Sequence, residues 1–195
     1  MCSSITKKTG NTLFIGIHNP TESFPKDLLR TVKEKIGIET AAVERTKQFF
    51  MVLADSISRV NPNALWLHIA HSEGGVITTR VIEKVGESRQ EILRKQLYVF
   101  SVGPAEPIPM DYGAKCVNVY SQQDHITGWF GKPFRNDPRY DIQFLKCISP
   151  AKEKNLYIAD HRFLGPTYKT AWGDYISELS KKIGFYDECF SQGNR

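Results

Sequence analysis

Short runs of apolar residues alternate along this chain with segments in which apolar residues recur at helical spacing. The runs that predict β-strands are Thr12–His18, Ala64–Ala70, Leu97–Val102 and Cys116–Tyr120, with further candidates over Ile142–Ile148 and Asn155–Ala159. Helical spacing covers Phe24–Lys35, about Thr40–Arg59, a stretch ending near Val85, and a C-terminal segment marked by Trp172, Tyr175, Ile176, Leu179 and Ile183. This alternation predicts a fold of the α/β class.

The run Ala64–Ala70 is apolar at nearly every position, which is typical of a strand buried on both faces of a parallel sheet. The helix predicted at Phe24–Lys35 has Ser23 as an N-cap candidate and Gly37 just after its end. The chain has 195 residues, without an internal repeat or a linker. We therefore expect one domain over residues 12–184, between a flexible N-terminus at 1–11 and a C-terminal tail at 185–195.

Composition removes several functional classes. Hydrophobic residues make up 41% and charged residues 24%, which argues against a disordered chain. The net charge of +5 is spread along the sequence rather than clustered, so no nucleic-acid partner is expected. No apolar run approaches the roughly 18 residues of a membrane span, so no transmembrane segment is expected.

The cysteines indicate the compartment and argue against a metal. The four of them are far apart and show no metal-ligand spacing; they are Cys2, Cys116, Cys147 and Cys189. Reduced thiols in a cytoplasmic protein are the expected state, although a polar export signal would escape recognition. Neither a metal nor a cofactor is predicted.

The segment around Ser72 carries the clearest chemical signal. The run ending at Ala70 leads directly into His71-Ser72-Glu73-Gly74-Gly75, and a helical pattern starts there. A nucleophile elbow places its serine on such a sharp strand-to-helix turn, between small residues, here Ala70 and Gly74. The amide of Glu73, at the start of the helix, would donate to an oxyanion, and His71 would support the turn.

Asp124 is the candidate acid of a catalytic triad, because it directly follows the strand predicted over Cys116–Tyr120. In the order serine, acid, histidine, the acid belongs on a loop after a later strand. The competing aspartates follow no such clear strand; they are Asp111, Asp137, Asp141 and Asp160.

His161 is the candidate base, because it follows the strand predicted at Asn155–Ala159 and precedes the last helix. It would take the proton of Ser72 while Asp124 holds the imidazole in the required tautomer. His18 and His68 fit the order less well, and His125 is the strongest competitor because it adjoins the candidate acid.

These three segments together resemble the α/β-hydrolase superfamily of lipases and esterases. The turn at Ser72, Asp124 after its strand, and the stretch Asp160-His161-Arg162-Phe163 followed by Tyr168 occur in the superfamily's order. More narrowly, the sequence resembles an uncharacterised chlamydial family of α/β-hydrolase-like proteins. The resemblance implies a three-layer α/β/α sandwich around a mostly parallel sheet, and hydrolysis of an acyl ester, such as a lipid, through an acyl-enzyme.

The N-terminal part departs from the superfamily's pattern and leaves two alternatives. If Thr12–His18 is the strand whose loop completes the oxyanion hole, an amide of His18, Asn19 or Thr21 would be the second donor. If it is the next strand along, the oxyanion strand is missing and the fold is shortened at its N-terminus. The alternative function is then an inactive hydrolase-like domain that binds a partner through an aromatic and basic patch; Trp129, Phe130, Lys132, Phe134 and Arg135 would form it. No feature of the sequence points to an oligomeric state.

Overall fold

The computed structural model describes residues 24–60, 64–125, 134–146, 161 and 165–182. The strands predicted at Thr12–His18 and Asn155–Ala159 lie outside these ranges, as do the two terminal segments at 1–11 and 185–195.

Five helices and four strands follow one another in the described ranges. The helices are α1 (Phe24–Lys35), α2 (Ala41–Val60), α3 (Glu73–Lys84), α4 (Glu87–Gln96) and α5 (Pro166–Lys182). The strands are β1 (Trp66–His71), β2 (Leu97–Val102), β3 (Lys115–Ser121) and β4 (Ile142–Leu145), and a 3-10 turn covers Met110–Tyr112.

The four strands form one parallel sheet in the order β1-β2-β3-β4. Trp66 pairs with Leu97 and Val99 with Cys116, so the carboxyl ends of neighbouring strands meet at one edge. The predicted α/β class is therefore confirmed, with a four-stranded parallel sheet and, in the described ranges, two helices between β1 and β2.

Alternate side chains of β2 enter two different apolar clusters. Leu97 and Val99 belong to a cluster that includes residues of α2, α3 and α4. Phe100 and Val102 belong to a second cluster with side chains of α5, in which the rings of Phe100 and Tyr175 stack 4.4 Å apart. Because successive strand residues point to opposite faces, β2 is covered on both of them.

The first strand is less buried than its apolar sequence predicts. It runs from Trp66 to His71 rather than from Ala64 to Ala70, and within it only Ala70 is fully buried. Ile69 keeps 37% of its surface exposed. The reason is position, because β1 is the outer strand of the four that the structure describes.

The end of α1 follows the sequence prediction. Gly37 has a φ of +85°, and its N–H donates to the Glu34 carbonyl at 2.9 Å. The N–H of Ile38 donates to the Lys33 carbonyl at the same distance. This left-handed glycine satisfies the carbonyls of the last turn and turns the chain toward α2.

Candidate active site

Ser72 occupies a strained turn between β1 and α3. Its φ of +54° and ψ of −119° make it the one non-glycine residue with positive φ in the described ranges. Its carbonyl oxygen accepts hydrogen bonds from Gly75 at 3.1 Å and from Ala105 at 2.9 Å, and its N–H donates to Val102 at 3.2 Å. Such a conformation costs about 1–3 kcal/mol and persists only where its surroundings fix it.

The turn is surrounded by small residues, although the closest approach differs from the predicted one. A Cβ added at Gly74 would lie 3.7 Å from the Ala70 Cβ, an ordinary contact. A Cβ added at Gly75 would lie only 2.6 Å from the Glu106 carbonyl oxygen and from the Pro104 Cβ. Gly75, which sequence reasoning did not single out, is therefore the position that excludes a side chain.

The side chains of Ser72, His161 and Asp124 form one chain of hydrogen bonds. His161 Nε2 lies 3.0 Å from Ser72 Oγ, and His161 Nδ1 lies 2.9 Å from Asp124 Oδ2. A carboxylate only accepts hydrogen bonds, so Nδ1 carries the proton and Nε2 presents its lone pair to the serine hydroxyl. Three residues separated by up to 89 positions thus meet in the arrangement that proton removal from a serine requires.

Asp124 is held by Tyr168 as well as by His161. The aspartate is 2% exposed, and the hydroxyl of Tyr168 donates to its Oδ2 at 2.7 Å. That hydroxyl accepts a hydrogen bond from the N–H of Ser121 at 3.1 Å. The phenol therefore ties the carboxylate to the end of β3.

Gly103 makes room for this pair of side chains. It has a φ of +48°, and a Cβ there would lie 2.9 Å from both Asp124 Oδ2 and the Tyr168 hydroxyl oxygen. Sequence reasoning missed both the role of Gly103 and the hydrogen bond from Tyr168 to Asp124. A glycine directly after the buried strand β2 was the available signal for the first.

His71 contacts the candidate base rather than only the turn. Its Nε2 lies 2.7 Å from the His161 carbonyl oxygen, and the two rings are 4.9 Å apart. Because a carbonyl only accepts, this nitrogen carries the proton. Burial, followed by the nearness of His161, lowers the pKa of His71 to about 4, so the ring is neutral near pH 7.

Glu73 directs its side chain away from the turn to Arg30 of α1. Arg30 Nη2 donates to Glu73 Oε2 at 2.7 Å and to Asp27 at 3.2 Å. The hydrogen bond with Glu73 is the largest cause of the raised pKa of Arg30. The amide of Glu73 lies at the N-terminus of α3, where helix amides point outward. The candidates for the second donor, His18, Asn19 and Thr21, lie outside the described residues.

The competing candidates occupy other places. Asp137 pairs with Arg139, and Asp111 lies in the 3-10 turn. The backbone carbonyl of Asp141 accepts from Asn118. The ring of His68 contacts Thr78 at 2.8 Å, His125 is exposed, and Asp160 lies outside the described residues.

Comparisons with protein-family models, curated proteins and solved structures found no match to this chain. In the described parts of the chain, no helix combines the length and apolar character needed to cross a membrane. Within those same ranges, no three His, Cys, Asp or Glu residues gather in a way that would hold a metal ion.

Proposed function

We propose that the protein is a serine hydrolase that cleaves an acyl ester, a lipid or another one, on an α/β-hydrolase-like, three-layer fold. The observation that carries the proposal is the pair of hydrogen bonds joining Ser72, His161 and Asp124, with the serine on a strained strand-to-helix turn. A serine hydroxyl needs a base within hydrogen-bonding distance to become nucleophilic, and that base needs an acceptor on its other nitrogen.

Acylation follows from this geometry. Ser72 Oγ attacks the ester carbonyl carbon while His161 Nε2 takes the hydroxyl proton. The tetrahedral intermediate collapses when its C–O bond to the alcohol breaks, and His161 returns the proton to the departing alkoxide. Water then repeats the sequence on the acyl-serine, which releases the carboxylic acid and restores Ser72. Asp124 stays ionised and stabilises the imidazolium in both halves.

The oxyanion would form at the N-terminus of α3. The amide of Glu73 is the donor that the turn itself supplies, and the partial positive charge of the helix end favours a developing negative charge. If Thr12–His18 is the oxyanion strand, an amide of His18, Asn19 or Thr21 would be the second donor; if it is the next strand along, that donor is missing. Losing one such donor costs about 100- to 1,000-fold in rate, so this position decides how fast the enzyme turns over.

An active-site-directed phosphonate tests the proposal, because it phosphonylates a serine that is activated by a base. We expect one modified residue, Ser72, by mass spectrometry. Ser72→Ala should abolish labelling, whereas Ser56→Ala, on the exposed side of α2, should leave it unchanged. His161→Gln and Asp124→Ala should slow labelling without unfolding the chain.

Two outcomes would refute the proposal. One is a folded wild-type protein that the phosphonate does not label. The other is labelling that survives Ser72→Ala. The first outcome, together with a normal melting curve, would favour the inactive, partner-binding alternative.

A further inference from the structure

Among the described side chains of helix α1, four polar ones turn inward, and two apolar ones, Leu29 and Val32, turn outward. The residues turned toward the protein are Asp27, Arg30, Thr31 and Glu34, and of these Thr31 and Glu34 are fully buried. Leu29 and Val32 on the outward side are 56% and 42% exposed, and Ile36, directly after the last residue of the helix, is 70% exposed. An ordinary surface helix shows the opposite arrangement, with its apolar stripe on the core.

Polar contacts fix this orientation. Arg30 binds Glu73 of α3, and the Glu34 carboxylate accepts from Thr40 Oγ1 at 2.6 Å. Arg80 of α3 donates to the backbone carbonyls of Glu34 and Lys35 at 3.0 and 2.9 Å. Rolling the helix to bury its apolar stripe would break all of these contacts, so the stripe stays outward.

The apolar stripe is contiguous. Leu29, Val32 and Ile36 are spaced i, i+3 and i+7, which places them side by side on one face, and Ile38 follows directly, 49% exposed. Single exposed apolar residues need no explanation, whereas a contiguous group of them marks an interaction surface.

Positive charge borders the stripe. Lys26 and Lys33 are exposed and lie beside Leu29 on the helix surface. A hollow of about 330 Å³ lies here, and it is lined by Lys26, Leu29, Arg30, Lys33 and Thr40. The acidic residues of α1, Asp27 and Glu34, lie on the inward side. The outer face therefore combines aliphatic side chains with cations, and the hollow lies at its edge.

We infer that this outer face of α1 is a docking surface for an anionic phospholipid membrane. Helices that lie at a lipid surface bury an aliphatic stripe among the acyl chains while flanking lysines contact the anionic headgroups. The inference rests on the proposed function for its consequence: docking would hold a lipid hydrolase at the surface of its aggregated ester substrate.

Vesicle co-sedimentation of the full chain tests the surface. The Ser72→Ala protein is mixed with vesicles of phosphatidylcholine alone, or of phosphatidylcholine and phosphatidylglycerol in equal parts. We expect binding to the mixed vesicles and much weaker binding to the neutral ones. Lys26→Gln and Lys33→Gln should each weaken binding about fivefold. Leu29→Ser and Ile36→Ser should each weaken it about tenfold.

Matched controls lie elsewhere on the surface. Val52→Ser removes an apolar side chain that is 66% exposed on α2, and Lys95→Gln removes an exposed lysine on α4. Both controls should bind mixed vesicles like the parent protein. Absence of binding by the parent, or equal losses in controls and face variants, would overturn the inference.

Two measurements without lipid test whether the chain's own terminal segments or a second copy of the chain cover this face instead. If the chain's own terminal segments cover it, Leu29→Ser and Ile36→Ser will lower the melting temperature. If a second copy covers it, they will lower the mass measured by light scattering. Either result would overturn the inference. Vesicle binding without ester hydrolysis would refute only the proposed hydrolase function. Hydrolysis of a soluble ester without vesicle binding would refute only the proposed docking surface.

Discussion

Comparing Gly103→Ala with Gly37→Ala separates the free-energy cost of backbone strain from the cost of displacing the candidate acid Asp124. Gly103 has a φ of +48°, and an alanine in this region costs about 1–2 kcal/mol. Its methyl group would also lie 2.9 Å from Asp124 Oδ2 and 2.9 Å from the Tyr168 hydroxyl oxygen. That separation is too short for a carbon and an oxygen, so the two side chains must move.

The overlap should affect activity more than stability. Both atoms are the ends of side chains, which shift more easily than backbone, so we expect the overlap to add only about 1 kcal/mol. The same shift pulls Oδ2 away from His161 Nδ1, which it now meets at 2.9 Å. A misplacement of about 1 Å at a reacting group costs roughly 100-fold in rate.

Gly37→Ala is the matched control. Gly37 has a φ of +85°, and a Cβ there would meet nothing within 4 Å. This variant should carry the strain without the overlap. We expect both variants to lower the free energy of unfolding, measured by denaturant titration, and only Gly103→Ala to slow phosphonate labelling of Ser72. Equal labelling rates in the two variants would refute the claim that Gly103 makes room for the acid.

Three further predictions follow from local contacts. Gly75→Ala should destabilise the protein by about 3 kcal/mol in thermal denaturation, because the new methyl group would overlap the backbone. The control Gly173→Ala, in the open part of α5, should stabilise the protein by about 1 kcal/mol. Equal effects of the two substitutions would contradict the close packing at Gly75. Burial raises the pKa of Glu34 from 4.5 to about 7, so its contribution to stability is present below pH 4.5 and is lost as the pH rises through 7. Glu34→Gln should remove that loss and be more stable than the wild type by about 3 kcal/mol at pH 8. Parallel pH profiles of the two proteins would contradict this prediction. His71→Phe should lower the kcat of ester hydrolysis about tenfold at unchanged KM. His71→Gln, which still donates to the His161 carbonyl, should recover most of the lost kcat. Equal kcat values in the two variants would contradict a positioning role for His71.

Elements with a clear apolar period were predictable from the sequence. The bounds of α1 and β2 agree with prediction at both ends, and β3 differs by one residue at each end. In β2 the apolar run is short and flanked by a polar helix and a glycine, so few alternatives compete. Helix α4 was missed, because Glu87–Gln96 contains only Ile92 and Leu93 as apolar residues and shows no stripe. Its acidic start and basic end were the signals available.

The candidate site was predictable where chain order constrains it. Ser72, Asp124 and His161 each follow a predicted strand, and the carboxyl ends of parallel strands meet at one edge of a sheet. The contact of Tyr168 with Asp124 spans 44 positions and depends on how α5 packs against β3. No local pattern encodes such packing, so sequence reasoning placed the acid but not the group that holds it.

Glu73 connects the candidate site to the docking surface. Sequence reasoning assigned it only an amide at the oxyanion position, and a carboxylate beside that position would oppose the developing negative charge. Arg30 offsets that charge through two hydrogen bonds and also lines the hollow at the edge of the outer face of α1. The same ion pair would therefore keep the proposed oxyanion position electrostatically favourable, and it fixes α1 with Leu29 and Val32 outward. Because these polar contacts hold the inward side of α1, Leu29 and Val32 on the other side are available to lipid.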